Sequence, residues 1–149
     1  MTGGSSVLKV FTMEYYFNKI ITGNFNDILQ AVKISLKKED FELFYEIDMQ
    51  EKVRLKLGSV CAGYVILGAC NMEFLYNVHD IKGDITASLP LNIVLQQINW
   101  NEVKVVAIDP FSSIKDSNNE FLVILNYAVK LKLARVMESI SISRNPGIF

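Results

Sequence analysis

The spacing of apolar and polar residues in the first third of the chain predicts two strands separated by a helix. Apolar side chains recur at every second position in residues 11–17 and again in residues 41–48, which is typical of half-buried strands. The first strand could begin as early as Val7. In residues 25–36 the apolar positions follow three- and four-residue spacing, which indicates an amphipathic helix. Asn24 is the expected N-cap of this helix.

The remainder of the chain predicts three more strands, two short helices and one long helix. The predicted strands are residues 64–69, 91–98 and 103–108, and the predicted helices are residues 49–57, 72–78 and 120–141. Gly58 is expected to end the helix at 49–57, and Leu75 and Val78 are the expected inward residues of the helix at 72–78. Residues 99–101 form a tight connection, so the last two strands are expected to pair as a hairpin. Pro90 lacks a backbone N–H, which predicts an edge position or a bulge for the strand beside it. Five strands and two main helices predict an α+β domain.

The second strand carries the most regular alternation in the chain. One face is predicted to be Phe41, Leu43, Tyr45 and Ile47, and the other Glu42, Phe44, Glu46 and Asp48. Glu46 and Asp48 would then stand about 7 Å apart on one face. Paired carboxylates can divide acid and base roles or hold a hard cation. The alternative is that they are solvated or accept backbone hydrogen bonds at the end of the strand.

The long C-terminal helix is predicted to be apolar on more than one side. Its main stripe is Leu122, Leu125, Val129, Leu133, Val136 and Ile140. Its back carries Ile124, Tyr127, Leu131 and Ala134, and Phe121 and Ala128 fill one flank; the expected interface is Phe121 together with the four residues of the back. A helix that is apolar nearly all round is buried on more than one side. We expect a second copy of the chain to cover the back, since two-fold homodimers are the commonest assemblies. The alternative cover is the C-terminal tail, with Ile142, Ile148 and Phe149.

Composition narrows the class of protein. The chain has 149 residues, of which 50% are hydrophobic, and a net charge of −1. This composition excludes disorder and predicts one domain over residues 1–149, with an ordered part at about 7–141. A pI near 5.8 gives no electrostatic reason to bind nucleic acid or anionic membranes. The longest apolar stretch, Val60–Cys70, is too short for the ~20 residues of a spanning helix. The N-terminus has no signal-peptide pattern, so we expect a cytoplasmic protein.

Mean hydropathy is +0.24, which is high for a monomer that exposes its whole surface to water. The excess predicts either a large core or an apolar surface that a partner covers.

Cys70 is the first candidate for chemistry. It ends an apolar strand beside the predicted helix at Met72, and a helix N-terminus lowers the pKa of a thiol. The alternative is a structural cysteine, with Asn71 capping that helix. Cys61 and His79 match no compact zinc pattern with Cys70, so we expect no metal and no cofactor.

Three polar residues are candidates for ligand contact. They are Asn71, Asn92 and Asp109. Asn92 lies in an apolar strand and needs a partner if it is buried. Asp109 precedes a proline and is typical of a turn, where its carboxylate can accept backbone hydrogen bonds. For each of them the alternative is a purely structural role.

An ordered set of motifs resembles a known family. The motifs are EID at 46–48, KLG at 56–58, YVILGACN at 64–71, LPLNIVL at 89–95 and AIDP at 107–110. Together they resemble domain of unknown function 302 over residues 11–140. The resemblance implies a β-α-β-β-β-β-α domain, similar to the TATA-binding-protein-like or Bet v 1-like arrangement, that forms homodimers. It brings no established activity, and similarity of fold does not imply DNA binding.

Two positions depart from the family pattern. Met72 stands where members commonly have proline, and Leu91 stands where they commonly have cysteine. The loss of one cysteine weakens any mechanism that needs two thiols.

These observations favour a non-catalytic, homodimeric α+β domain that binds a small apolar or amphipathic ligand or a protein partner. The expected ligand site is a cavity between the sheet and the long helix. The alternative is a thiol-dependent redox protein or enzyme that uses Cys70 with Glu46 and Asp48.

Overall fold

A computed structural model describes residues 16–78, 91–108 and 120–144. Along the chain, these residues form β1 (Tyr16–Thr22), α1 (Phe25–Lys38), β2 (Phe41–Asp48), α2 (Met49–Leu57), β3 (Tyr64–Asn71), α3 (Met72–Val78), β4 (Leu91–Asn99), β5 (Glu102–Ile108) and α4 (Glu120–Arg144). The predicted α+β class, its five strands and its two long helices are confirmed. The first strand is described only from Tyr16, and it continues to Thr22, five residues beyond the predicted end.

The five strands form one antiparallel sheet in the order β1-β5-β4-β3-β2. The predicted β4–β5 hairpin is confirmed, with a turn at Trp100 and Asn101. Of the two alternatives predicted for the strand beside Pro90, the edge position is wrong, because β4 lies between β5 and β3, whereas the bulge stays a prediction. Inward residues of β4 such as Ile93 and Leu95 are fully buried, as expected of a central strand. Pro90 itself lies outside the described residues.

Helix α1 forms where its sequence pattern places it. The Asn24 side chain accepts a hydrogen bond from the Asp27 N–H at 3.2 Å, which caps the first turn. The buried side of α1 packs against the sheet and against α4 through Ile28, Leu29, Val32, Ser35 and Leu36. Two lysines end the helix, where the helix dipole favours cations.

Helix α4 lies on the same face of the sheet as α1. Its buried side consists of Asn126, Val129, Leu133, Val136, Met137 and Ile140. Polar contacts fix its second half to the end of α1: Lys132 pairs with Asp40 at 3.2 Å and Arg135 with Glu39 at 3.0 Å. The predicted main stripe is confirmed from Leu125 onward, with Leu125 itself partly buried against the core, whereas the Leu122 side chain lies outside the described residues. Among the helices of the described part, none is long and apolar enough to cross a membrane.

A β-bulge overturns the predicted faces of β2. The register with β3 skips one residue between Leu43, which pairs with Ala69, and Tyr45, which pairs with Gly68. An extra residue turns every later side chain to the opposite face. Phe41 is therefore buried on the core side, whereas Tyr45 lies on the outer face, the side of the sheet opposite the core. The prediction that the four residues Phe41, Leu43, Tyr45 and Ile47 share one face is wrong.

Candidate functional site

The outer face of the sheet carries a tyrosine that reaches across a strand. Tyr45 of β2 pairs with Gly68 of β3, which pairs in turn with Asn92 of β4. The Tyr45 hydroxyl donates a hydrogen bond to Asn92 Oδ1. A Cβ atom at Gly68 would overlap the Tyr45 ring, so the ring occupies the space that a side chain would need. This arrangement ties three strands together on one face.

Asn92 is the one residue of this cluster that was predicted as a candidate for ligand contact. Asn92 is exposed, and its partner is the hydroxyl of Tyr45. The available signal for the rest was Gly68, since a glycine inside an apolar strand often marks close approach by another group. The pattern alone did not identify the group that approaches.

Cys70 and Asn71 adopt the structural arrangement that was the alternative to a reactive thiol. Cys70 is 2% exposed, and burial raises the pKa of its thiol. The Asn71 side chain accepts a hydrogen bond from the Phe74 N–H at 2.9 Å, so it caps α3. Although Cys70 lies beside the start of α3, the pKa of its thiol is raised and not lowered. Cys61 precedes β3 and is only partly buried.

Glu46 and Asp48 each hold a partner of their own. Glu46 forms an ion pair with Lys33 of α1. Asp48 accepts a hydrogen bond from the Glu51 N–H at 3.0 Å and is the N-cap of α2. The hydrogen bond that Asp48 accepts at the end of its strand matches the expected alternative to a chemical role.

The structure does not bring these carboxylates to the cysteine. Cys70 pairs with Glu42 on β2, whereas Glu46 pairs with Leu67. Leu67 and Cys70 are three positions apart on β3, which is about 10 Å along the strand. Leu67 is a core residue, and Cys70, an odd number of positions away, points to the other side of the sheet.

Two of the remaining candidates, His79 and Asp109, lie outside the described residues. Within residues 16–78, 91–108 and 120–144, no three His, Cys, Asp or Glu side chains gather where they could hold a metal ion.

The back of α4 is exposed. Its large apolar side chains have exposed fractions of 51% for Phe121, 66% for Ile124, 64% for Tyr127 and 44% for Leu131. Ala134, the fifth residue of the predicted interface, is partly buried. We call the surface formed by these five residues the α4 back face. It lies on the same helix as the buried Val129 and Leu133, so α4 is apolar both toward the core and toward solvent.

Two depressions bear on ligand binding. The gap between the sheet, α3 and α4 is too narrow to admit a water molecule; its lining residues include Asn71, Phe74 and Val129. A groove of about 320 Å³ lies instead between α1 and β2. Its lining is Lys33, Ile34 and Lys37 from α1 and Phe41, Glu42 and Leu43 from β2. The groove borders β2, which is an edge strand of the sheet, and none of these lining residues belongs to α4.

Comparison with known proteins places the chain in a family. A profile described as "Domain of unknown function DUF302" matches residues 17–140. A similar solved structure is the crystal structure of uncharacterized conserved protein DUF302 from Bacillus stearothermophilus. It has a TM-score of 0.72 at 21% sequence identity, and the match covers 85% of this chain and 98% of that chain. The search of curated proteins found no match. The chain therefore belongs to the DUF302 family.

Proposed function

We propose that the protein is a non-catalytic homodimer that binds a small amphipathic ligand or a protein partner, with the α4 back face as the contact between the two copies. The observation that carries the proposal is the exposure of four large apolar side chains along one helix face. They expose roughly 400 Å² of side chain, taking 150–250 Å² for a large side chain. A surface of this size is typical of an interaction site.

The size of the face suits the centre of an interface. A standard interface takes about 800 Å² from each partner and has an apolar core with a polar rim. The back face supplies about half of that area as apolar surface. Polar residues beside it, including Glu120 and Arg135, are placed to form the rim.

The α4 back face is also complementary to itself. If two α4 helices cross antiparallel, with the two-fold axis between Tyr127 and Ala128, residues at equal distances from the axis face each other. The facing pairs are Tyr127 with Ala128, Ile124 with Leu131, Phe121 with Ala134, and Glu120 with Arg135. Large side chains then face small ones at two of the pairs, and Glu120 lies opposite Arg135, which also pairs with Glu39 of its own chain. This complementarity favours a second copy as the occupant.

The thiol-dependent alternative has less support. A nucleophilic or redox-active cysteine needs a lowered pKa and access to solvent. Cys70 has a raised pKa and is buried.

Two variants test the dimer contact. Leu131→Glu places a charge at the centre of the α4 back face and is expected to convert the dimer to a monomer at micromolar concentration. Leu55→Glu is the matched control, because Leu55 is 69% exposed on α2, away from α4. Size-exclusion chromatography with light scattering gives the masses, and circular dichroism checks the fold. A folded Leu131→Glu protein with the mass of the wild-type dimer would contradict the proposal.

A third variant tests the orientation of the two helices. Glu120→Arg places two arginines opposite each other at both ends of the antiparallel contact and is expected to weaken the dimer. Unchanged dimer affinity in sedimentation experiments at low salt would argue against the antiparallel pairing. Native mass spectrometry of the purified protein adds a direct test of the ligand, since it reports any small molecule that stays bound to the dimer.

A further inference from the structure

We infer that the groove between α1 and β2 binds a small amphipathic monocarboxylate. This inference rests on the proposed binding function and names the site and the class of ligand. The groove is formed by two adjacent elements, α1 and the edge strand β2, that enclose about 320 Å³. It is distinct from the α4 back face, so a ligand in the groove leaves the dimer contact free.

The size of the groove sets the size of the ligand. A water molecule takes about 30 Å³ of liquid volume, so the groove has room for about ten groups of that size. The volume is near the lower end of the range for small-molecule sites, about 300–1,000 Å³. A linear carboxylate with about ten non-hydrogen atoms, such as octanoate, fits this space.

Apolar side chains form the floor and one wall. Phe41 is buried beneath the groove, and Ile34 and Leu43 line it with exposed fractions of 56% and 38%. An alkyl chain against these three residues would remove apolar surface from water on both partners. The apolar part of the ligand therefore has a defined place.

The charges along the groove favour one negative charge. Lys33 is already paired with Glu46. Lys37 is exposed and forms no ion pair with any acidic residue of the described part of the chain. Its ammonium group can therefore meet a ligand carboxylate. Glu42 also lines the groove, but its side chain alternates with those of Phe41 and Leu43 and points to the other face of the sheet. A second carboxylate at the far end of the ligand would lie against the apolar side chains of Ile34 and Leu43, which disfavours a dicarboxylate.

A titration of the isotope-labelled wild-type protein with sodium octanoate tests this inference. Saturable amide shifts in nuclear magnetic resonance spectra are expected in residues 33–37 and 41–43. Octylamine, which carries the opposite charge, and suberate, the eight-carbon dicarboxylate, are expected to bind more weakly. Lys37→Ala should weaken octanoate binding about threefold or more, in line with an exposed ion pair. Lys38→Ala is the matched control, because Lys38 is the next residue and does not line the groove.

Several results would overturn the inference. They are the absence of saturable shifts, shifts confined to other residues, equal binding of octylamine, or an equal loss of affinity in the two lysine variants. The mass of each sample is measured in parallel. A dimer without octanoate binding would refute the groove alone, whereas a monomer would refute the proposed dimer whatever the titration gives.

Discussion

Gly68 is expected to be intolerant of any side chain because the Tyr45 ring lies where a Cβ would be. Gly68→Ala forces the ring to move, and the ring can turn outward because Tyr45 is 38% exposed. The movement removes the hydrogen bond to Asn92, which contributes about 0.5–1.5 kcal/mol. Strain from an added methyl group typically costs about 1–3 kcal/mol. Since turning the ring relieves part of that strain, we expect a net loss of about 2 kcal/mol.

Thermal and urea denaturation at one fixed protein concentration measure this loss. A chain of this length shifts its Tm by about 2–4 °C per kcal/mol, so Gly68→Ala should lower Tm by about 4–8 °C. Tyr45→Ala removes the obstructing ring. In that background Gly68→Ala is expected to be nearly neutral or slightly stabilising, since glycine weakens a strand interior.

The double-mutant cycle isolates the contact between the two residues. It should give a coupling energy of about 2 kcal/mol between positions 45 and 68, a size typical of residues in direct contact. If Gly68→Ala costs the same free energy with and without the Tyr45 ring, the ring is not the cause and the reasoning fails.

Four further predictions concern the cap of α3, the two cysteines and the end of α2. Asn71→Ala removes the cap of α3 but also removes a buried amide N–H that has no partner in the described part of the chain. We therefore expect a loss of only about 1 kcal/mol, measured by urea denaturation; a loss above 3 kcal/mol would indicate a larger role. In native protein a thiol reagent should modify Cys61 faster than Cys70, and both should react in denaturant; fast native reaction of Cys70 would contradict its raised pKa. The raised pKa means that the folded state favours the neutral thiol of Cys70. The contribution of this thiol to stability is therefore present below pH 9.0, the ordinary thiol pKa, and is lost as the pH rises through the pKa of Cys70 in the folded protein. Cys70→Ala should therefore lose less stability than wild type at alkaline pH, and equal losses would refute the linkage. Gly58 ends α2 in the left-handed conformation with open space around it, so Gly58→Ala should cost about 1 kcal/mol from backbone strain alone, and an unchanged urea midpoint would contradict this.

Most helices and strands could be predicted because caps, glycines and hydrophobic spacing depend on residues that are close together in the sequence. The N-cap at Asn24 and the glycine that ends α2 have the predicted roles. Strand β3 continues two residues beyond its predicted end, to Asn71, because backbone pairing with β2 extends to Phe41. Hydropathy by itself does not reveal where that pairing stops.

Long-range contacts account for what the sequence could not predict. The bulge in β2 depends on the register with β3, and one extra residue reversed the predicted faces from Tyr45 onward. In α3 the predicted inward residues were Leu75 and Val78, yet Phe74 is buried at 2% exposure and Leu75 is only partly buried. The Val78 side chain lies outside the described residues. A short helix has too few positions for periodicity to distinguish between adjacent candidates.

The candidate sites show the same difference between local features, which the sequence predicts, and long-range contacts, which it does not. The structural alternatives for Asp48 and Asn71 could be stated from the sequence, because a cap is a local feature. The contact of Tyr45 with Gly68 and the groove between α1 and β2 join residues from separate elements. No spacing rule along the chain brings such residues together.

The apolar surface that a partner is expected to cover lies on the α4 back face. Four large side chains of the α4 back face are exposed while the opposite side of the same helix is fully buried. The high mean hydropathy thus reflects a helix with two apolar faces in addition to an ordinary core. The first of these faces packs on the sheet, and the proposed dimer accounts for the second.

The mass of the wild-type protein in solution tests the central claim most directly. Sedimentation velocity or light scattering at micromolar concentration should give twice the chain mass of 16.9 kDa. A single species at the mass of one chain under the same conditions would contradict the dimer and leave the α4 back face without its proposed partner.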